Sequence, residues 1–260
     1  MTQFKDFLTR LEAAIIPIFM EGFNSAPEIE QKTDFSLVSH YDRKIEKRIQ
    51  EMILKNFPGD SIIGEEMPAV SGEGKRNWYV DPIDGTRSYL CGNPLCGVLV
   101  GAYEGETPVF GAALIPALNK SYVYGQDGST KVNGRFIKTS GKISLESSII
   151  ACTSPDMFNS AQTEQFKNLS GNCLAVNWGG DCYNYVLLAE GRLDLVMEVN
   201  LKDVDIFPLI PLIQGAGGKI SDHKGMPIIP GHEWDRTVIA AANPKLHGLA
   251  LAKIMEPLSR

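Results

Sequence analysis

The 260 residues carry 25 Lys plus Arg against 31 Asp plus Glu, a formal net charge of −6, with 43% hydrophobic and 22% charged residues. That balance is ordinary for one large domain or two packed ones and excludes disordered, collagen-like and fibrous classes. The acidic excess argues against nucleic acid as a partner, because counterion-release binding requires a basic face.

The first element is an amphipathic helix: Phe4, Phe7, Leu8, Leu11, Ile15, Ile18 and Phe19 recur at i, i+3, i+4 spacing. Its apolar run from Ala13 to Met20 is too short to span a membrane and lacks signal-peptide order. The five cysteines (Cys91, Cys96, Cys152, Cys173 and Cys182) contain no C-x-x-C pair, which favours free thiols filling apolar space in a reducing compartment. A cytoplasmic protein is expected. A second helix is predicted from Asp42 to about Phe57, with Ile45, Ile49, Met52 and Ile53 on one face and Pro58-Gly59-Asp60 ending it. Strands are predicted at Ser61 to Gly64, Trp78 to Val80, Val98 to Tyr103, Val109 to Ile115 and Ser121 to Tyr124, forming an antiparallel sheet with helices packed on it. Thr130 to Ser140 reads as a linker or a hairpin loop. Beyond it, strands at Ser148 to Cys152 and Leu193 to Val199 alternate with a helix from Asp181 to Glu190, an α/β pattern. The division expected is residues 1–142 as an α+β half and 143–260 as an α/β half.

Three separated acidic segments point to chemistry. In Asp81-Pro82-Ile83-Asp84-Gly85-Thr86, carboxylates three apart would face opposite ways along a continuing strand. Pro82 is expected to end the strand and start a turn that brings Asp81 and Asp84 to one side with the Ile83 carbonyl beside them. These are hard oxygen ligands, suited to Mg²⁺ or Mn²⁺ rather than zinc. Gly85 lets its own N–H and that of Thr86 approach an anion, a seat for phosphate. In Gly64-Glu65-Glu66, extended geometry allows one carboxylate to face that site, and Glu65 is chosen. Asp205 stands at the N-terminal edge of an apolar helix running to Gly215-Ala216-Gly217-Gly218. Asp203 is a competing candidate. Each segment alone reads equally well as an acidic turn, a solvated strand end or a helix cap.

Together, Gly64-Glu65-Glu66, Asp81-Pro82-Ile83-Asp84-Gly85-Thr86 and an Asp ahead of Ala-Gly-Gly resemble the signature of the inositol monophosphatase superfamily. The resemblance runs from around Lys32 to Glu46 through Ala240 to Pro244. It implies a layered α/β/α/β/α fold, phosphomonoester hydrolysis and dependence on two Mg²⁺ ions, with a third, weaker ion near Glu65 in some members and Mn²⁺ as a substitute. Glu65, Asp81 and the Ile83 carbonyl would hold one ion, and Asp81, Asp84 and Asp205 the other. Thr86 and Glu65, with Asp42 behind the threonine, would orient the attacking water. The chain departs from the family at Leu37-Val38-Ser39-His40-Tyr41 ahead of Asp42, and at Val204, where many members carry Trp.

The runs Asp84 to Tyr89, Gly179-Gly180-Asp181-Cys182-Tyr183 and Leu201-Lys202 resemble the bacterial histidinol-phosphate phosphatase branch most. Glu198 and Asp181, outside the metal set, are the candidates to recognise an ammonium or imidazolium, and Arg87 either contacts phosphate or holds its loop. Inositol 1-phosphate, a nucleotide 3′-phosphate and a sugar phosphate are the rival substrates, and a transcription antitermination protein of the same fold is the rival of another class. The partners expected are a small phosphate ester and a second copy of the chain, with no membrane. His40, His223, His232 and His247 read as surface or packing residues, since no Ser or Cys motif accompanies them.

Overall fold

A computed structural model describes residues 2–25, 29–31 and 37–256, so Lys32 lies outside the described residues. Helix α1 (Thr2–Phe23) and helix α2 (His40–Asn56) flank a ribbon of β1 (Ile29–Gln31) and β2 (Leu37–Ser39). Helix α2 begins two residues before the expected start, because Ser39 caps it: the Ser39 N–H and hydroxyl both donate to the Asp42 carboxylate.

A seven-stranded sheet follows in chain order: β3 (Ser61–Gly64), β4 (Arg76–Asp84), β5 (Gly97–Glu104), β6 (Thr107–Ile115), β7 (Lys120–Tyr124), β8 (Thr130–Val132) and β9 (Arg135–Phe136). The segment after Ser129 is therefore a hairpin added to the sheet edge. One pairing differs from the expected antiparallel sheet: β3 lies parallel to β4. A short helix, α3 (Thr86–Leu90), joins β4 to β5. The second sheet contains β10 (Ile149–Cys152), β11 (Ala175–Trp178), β12 (Leu195–Val199), β13 (Lys219–Ser221) and β14 (Thr237–Ala241), in the spatial order β11-β10-β12-β14-β13. Helices α4 (Ser160–Ser170), α5 (Cys182–Ala189), α6 (Asp203–Ile206), α7 (Leu209–Gly215) and α8 (Pro244–Met255) are the α-helices of the second half among the described residues.

Strand alternation sorts the side chains into three cores. Trp78 and Val80 face α1 and α2, meeting Phe7, Leu11, Ile15, Ile45 and Ile49. Tyr79 and Leu99, on the other face, meet a middle layer of α5 and α7 that also covers Ala151, Val196 and Ala240 of the second sheet. Leu195, Met197 and Ile239 face outward onto Phe166 and Leu169 of α4 and Leu246 and Ala250 of α8. The layers run α/β/α/β/α, as expected. Close approach of the middle layer requires glycine on the sheet: a Cβ at Gly101 would lie 2.9 Å from Pro208 Cα, and one at Gly111 would lie 2.6 Å from Pro211 Cγ.

Candidate metal centre

The parallel pairing of β3 with β4 sets Gly64 opposite Val80, so Glu65 leaves its strand beside Asp81. On the other side of β4, Asp81 pairs with Leu99 and Asp84 with Gly97, so two residues of β4 stand between these pairs against one of β5. This bulge turns the two aspartates to one side. The expectation that Pro82 ends the strand is corrected here: β4 continues to Asp84, and Pro82, lacking an N–H, sits within the irregular step where the ladder is interrupted. The Asp81 carboxylate accepts the Ile83 N–H at 3.0 Å, and the Thr86 hydroxyl donates to the Ile83 carbonyl at 3.1 Å. Gly85 then adopts φ +80° at the start of α3.

Asp205 arrives from the second half. The single helix expected after it is two short ones, α6 and α7, because Pro208 has no N–H to continue the α6 ladder and instead opens α7. Asp205 lies within α6, where its Oδ2 accepts the Lys202 N–H at 2.7 Å. Asp203 turns away to Trp234 and Arg236.

One carboxylate oxygen each from Asp81, Asp84 and Asp205 lies within 4.8 Å of the others. Burial first, then Glu65, Asp84 and Asp205, raises the Asp81 carboxyl well above the usual range. Burial and then Asp181 and Asp205 do the same to Asp84. Burial pushes Asp205 up to about 7 against the opposing Lys202 N–H bond. Crowded hard oxygens that resist sharing negative charge are the donor set a divalent cation such as Mg²⁺ fits. They surround a cavity of about 200 Å³ whose acidic lining is Glu65, Asp81, Asp84, Asp181, Glu198 and Asp205, with no Lys or Arg among the described residues that line it.

The remaining candidates divide. Glu198 is 2% exposed; its Oε1 accepts the Thr153 N–H at 2.9 Å and the Thr153 hydroxyl at 2.6 Å, and its Oε2 accepts the Tyr185 hydroxyl at 2.8 Å. Asp181 precedes α5 with φ +45° and ψ −136°, yet its side chain does not cap the helix; it accepts from Ser88 at 2.8 Å and lies against Gly85. The Asp181 N–H donates to the Thr153 hydroxyl, and the Cys182 N–H donates to Asp84 at 2.7 Å. Asp42 is buried with its carboxylate on Ser39, while Thr86 turns its hydroxyl to Ile83. Burial raises the Asp181 carboxyl above its ordinary value, against the opposing Ser88 bond and the charge of Arg87, which is itself exposed.

Residues that sequence reasoning did not assign complete the surroundings. Lys202 places its ammonium 2.8 Å from Glu65 Oε1, and Thr153 and Tyr185 hold Glu198. Nothing local distinguishes these positions; their partners lie 13 to 137 residues away. His223 and His247 are buried on Val238 and Ser221. All five cysteines are free, but Cys91 is exposed rather than filling the core, because it follows the solvent-facing end of α3.

The inositol monophosphatase family model matches residues 1–258. The bifunctional phosphatase IMPL2 of Arabidopsis thaliana is 31% identical over 248 residues, covering 91% of this chain and 70% of that one. The histidinol-phosphatase of Chlorobaculum parvum is 30% identical over 200 residues, covering 76% of this chain and 77% of that one. An inositol monophosphatase from Zymomonas mobilis superposes with a TM-score of 0.84 at 32% identity, covering 96% of this chain and 97% of that one. The chain belongs to the inositol monophosphatase family, whose members are phosphoric monoester hydrolases.

Proposed function

We propose that the protein hydrolyses histidinol phosphate, or a phosphate monoester of the same kind whose leaving alcohol carries a cationic group. The observation that carries this reading is the cavity lining: beyond the carboxylates suited to metal, Asp181 and Glu198 add two acids that the proposed ligand set leaves unused. A leaving alcohol with a cationic group would form charge-assisted bonds to both, whereas a neutral polyol would offer them ordinary hydrogen bonds. The names of similar proteins include histidinol-phosphatase and inositol monophosphatase at comparable identity, so the lining, not the names, supports the choice.

Glu65, Asp81, the Ile83 carbonyl, Asp84 and Asp205 are assigned to two Mg²⁺ ions, with Mn²⁺ as a substitute and a third ion site near Glu65. When bound, these ions supply neutralisation of the phosphate oxygens and a lowered pKa for the attacking water. The chain does the rest. The N–H groups of Gly85 and Thr86 seat the phosphate; Thr86 and Glu65, backed by Asp42, orient the water in line; Asp181 and Glu198 receive the cationic end. Asp181 lies against Gly85, which supports a cationic group held close to the phosphate. Arg87, exposed at the rim, is assigned to the incoming phosphate. The active form proposed is a homodimer, supported by Val176 and Trp178 on the edge strand β11 and Leu174 just before it, exposed 36%, 48% and 65%. Light scattering tests that part, with Trp178→Glu expected to give a monomer.

The test of substrate is a side-by-side kcat/KM panel of histidinol phosphate, inositol 1-phosphate, fructose 1,6-bisphosphate and adenosine 3′,5′-bisphosphate. Histidinol phosphate is expected to lead. Glu198→Gln is expected to lower its kcat/KM about 10- to 100-fold, the worth of a charge-assisted hydrogen bond, while sparing a neutral aryl phosphate. Faster wild-type turnover of inositol 1-phosphate would overturn the assignment of substrate.

A further inference from the structure

Glu46 lies on α2, one turn after Asp42, and is completely buried. Its carboxylate reaches across to the turn that follows β3. Oε2 accepts the Glu66 N–H at 2.6 Å, and Oε1 accepts the Met67 N–H at 3.0 Å and the Gln50 side-chain amide at 3.1 Å. The fit on the other side is equally tight: a Cβ at Gly64 would lie 1.8 Å from Glu46 Oε1. Glu65, which supplies a carboxylate to the cavity, thus stands between a glycine pressed against Glu46 and two amides bonded to it. No regular structure restrains residues 65–67. The carboxylate replaces the ladder that β3 no longer provides, and two N–H donors converging on one buried acceptor resist the rotation that would swing Glu65 away.

We infer that Glu46 is a positioning residue for the metal centre: it acts through the backbone of the Gly64–Met67 turn to aim Glu65 at the cation, without touching cation or substrate itself. This rests on the assignment of Glu65 as a metal ligand. Residues that orient metal ligands from behind typically change affinity or activity about 10- to 100-fold when altered. Glutamine at position 46 keeps the length but offers one acceptor oxygen, and its NH₂ would face a backbone N–H.

The experiment compares wild type, Glu46→Gln and Glu65→Gln in the full chain. Mg²⁺ binding is read without turnover, as the midpoint of the Mg²⁺-induced rise in Tm, and turnover is read as kcat at saturating Mg²⁺. Glu46→Gln is expected to raise the Mg²⁺ midpoint about tenfold or more, with kcat at saturation within about threefold of wild type. Glu65→Gln is expected to change both readings. A wild-type midpoint in Glu46→Gln, with Glu65→Gln impaired, overturns the inference and leaves the metal assignment standing. A wild-type midpoint in Glu65→Gln overturns the assignment on which it rests. Should Glu46→Gln not fold, amide exchange on wild type decides: Glu66 and Met67 N–H are expected to exchange slowly in EDTA, and rates of unbonded loop amides would overturn the clamp.

Discussion

The Ser88 hydroxyl donates to Asp181 Oδ2 at 2.8 Å, joining two residues 93 apart in the chain. Ser88 lies on α3, whose first turn begins after Gly85, and Asp181 introduces α5, so this bond ties the end of β4 to the middle layer. Asp181, whose N–H also donates to the Thr153 hydroxyl, adopts φ +45° and ψ −136°, a conformation that L-residues rarely adopt. Strain of that kind costs roughly 1–3 kcal/mol and is found where a site dictates geometry.

Asp181→Gly is therefore expected to stabilise the metal-free protein. Relief of strain and of repulsion with Asp84 outweighs the lost Ser88 bond and the added chain entropy of glycine, for a net gain of about 1 kcal/mol. Thermal melting in EDTA measures it. A lower Tm than wild type would show that the Ser88 bond dominates.

Asp81→Asn and Asp205→Asn are each expected to lower kcat by far more than tenfold, that is, by more than about 1.4 kcal/mol in barrier. Both should melt higher than wild type in EDTA, since each removes one charge from a crowded set. Both should also lose the Mg²⁺-dependent rise in Tm, which for wild type reflects about 2.7 kcal/mol of added stability per ion at a hundredfold excess over Kd. Retention of a tenth of wild-type turnover would exclude the altered residue from the metal set.

Stability of the metal-free protein should depend on pH through Glu198. Burial pushes its carboxyl up to about 7 from an ordinary value of 4.5, against the opposing bonds from Thr153 and Tyr185. The folded state holds the proton more tightly than the unfolded one. The stability it contributes is full below about 4.5 and is lost as pH rises through about 7. Glu198→Gln has no such proton to lose, so its Tm relative to wild type is expected to rise between pH 5 and pH 8. Calorimetry in EDTA across that range checks it, and a difference independent of pH would contradict it.

Gly111→Ala tests how the fold carries Asp205 to the site. The new Cβ would meet Pro211 Cγ at 2.6 Å and the Pro208 carbonyl oxygen at 2.9 Å. Backbone cannot yield as a flexible side chain does, so α7 must shift, at a cost of about 1–3 kcal/mol. Asp205, on the preceding α6, should shift with it and weaken Mg²⁺ binding. A destabilised variant with unchanged Mg²⁺ midpoint would mean that α6 holds its position independently of α7.

Helix α2 was legible in the sequence because Ile45, Ile49, Met52 and Ile53 repeat at the helical period, and burial of that face is a local matter of spacing. The Asp81–Thr86 segment was legible for a similar reason: acids, proline and glycine at short separation restrict what one turn of chain can do. What the spacing could not decide was the means. A bulge on β4, not a turn after it, puts Asp81 and Asp84 on one side, and the parallel pairing of β3 puts Glu65 beside them. Register and strand direction depend on which strands become neighbours, and that follows from burying three cores at once. The same holds for Glu46, Thr153, Tyr185, Ser88 and Lys202. Their polar groups carry no periodic signal, and only the packed layers bring Glu46 to the turn after β3, Tyr185 to Glu198 and Ser88 to Asp181. The sequence by itself determined which carboxylates fall in the candidate segments and which apolar faces must be covered. The tertiary structure decided which donors hold those carboxylates in place, because a buried charge must find its partners among whatever the folded layers set beside it.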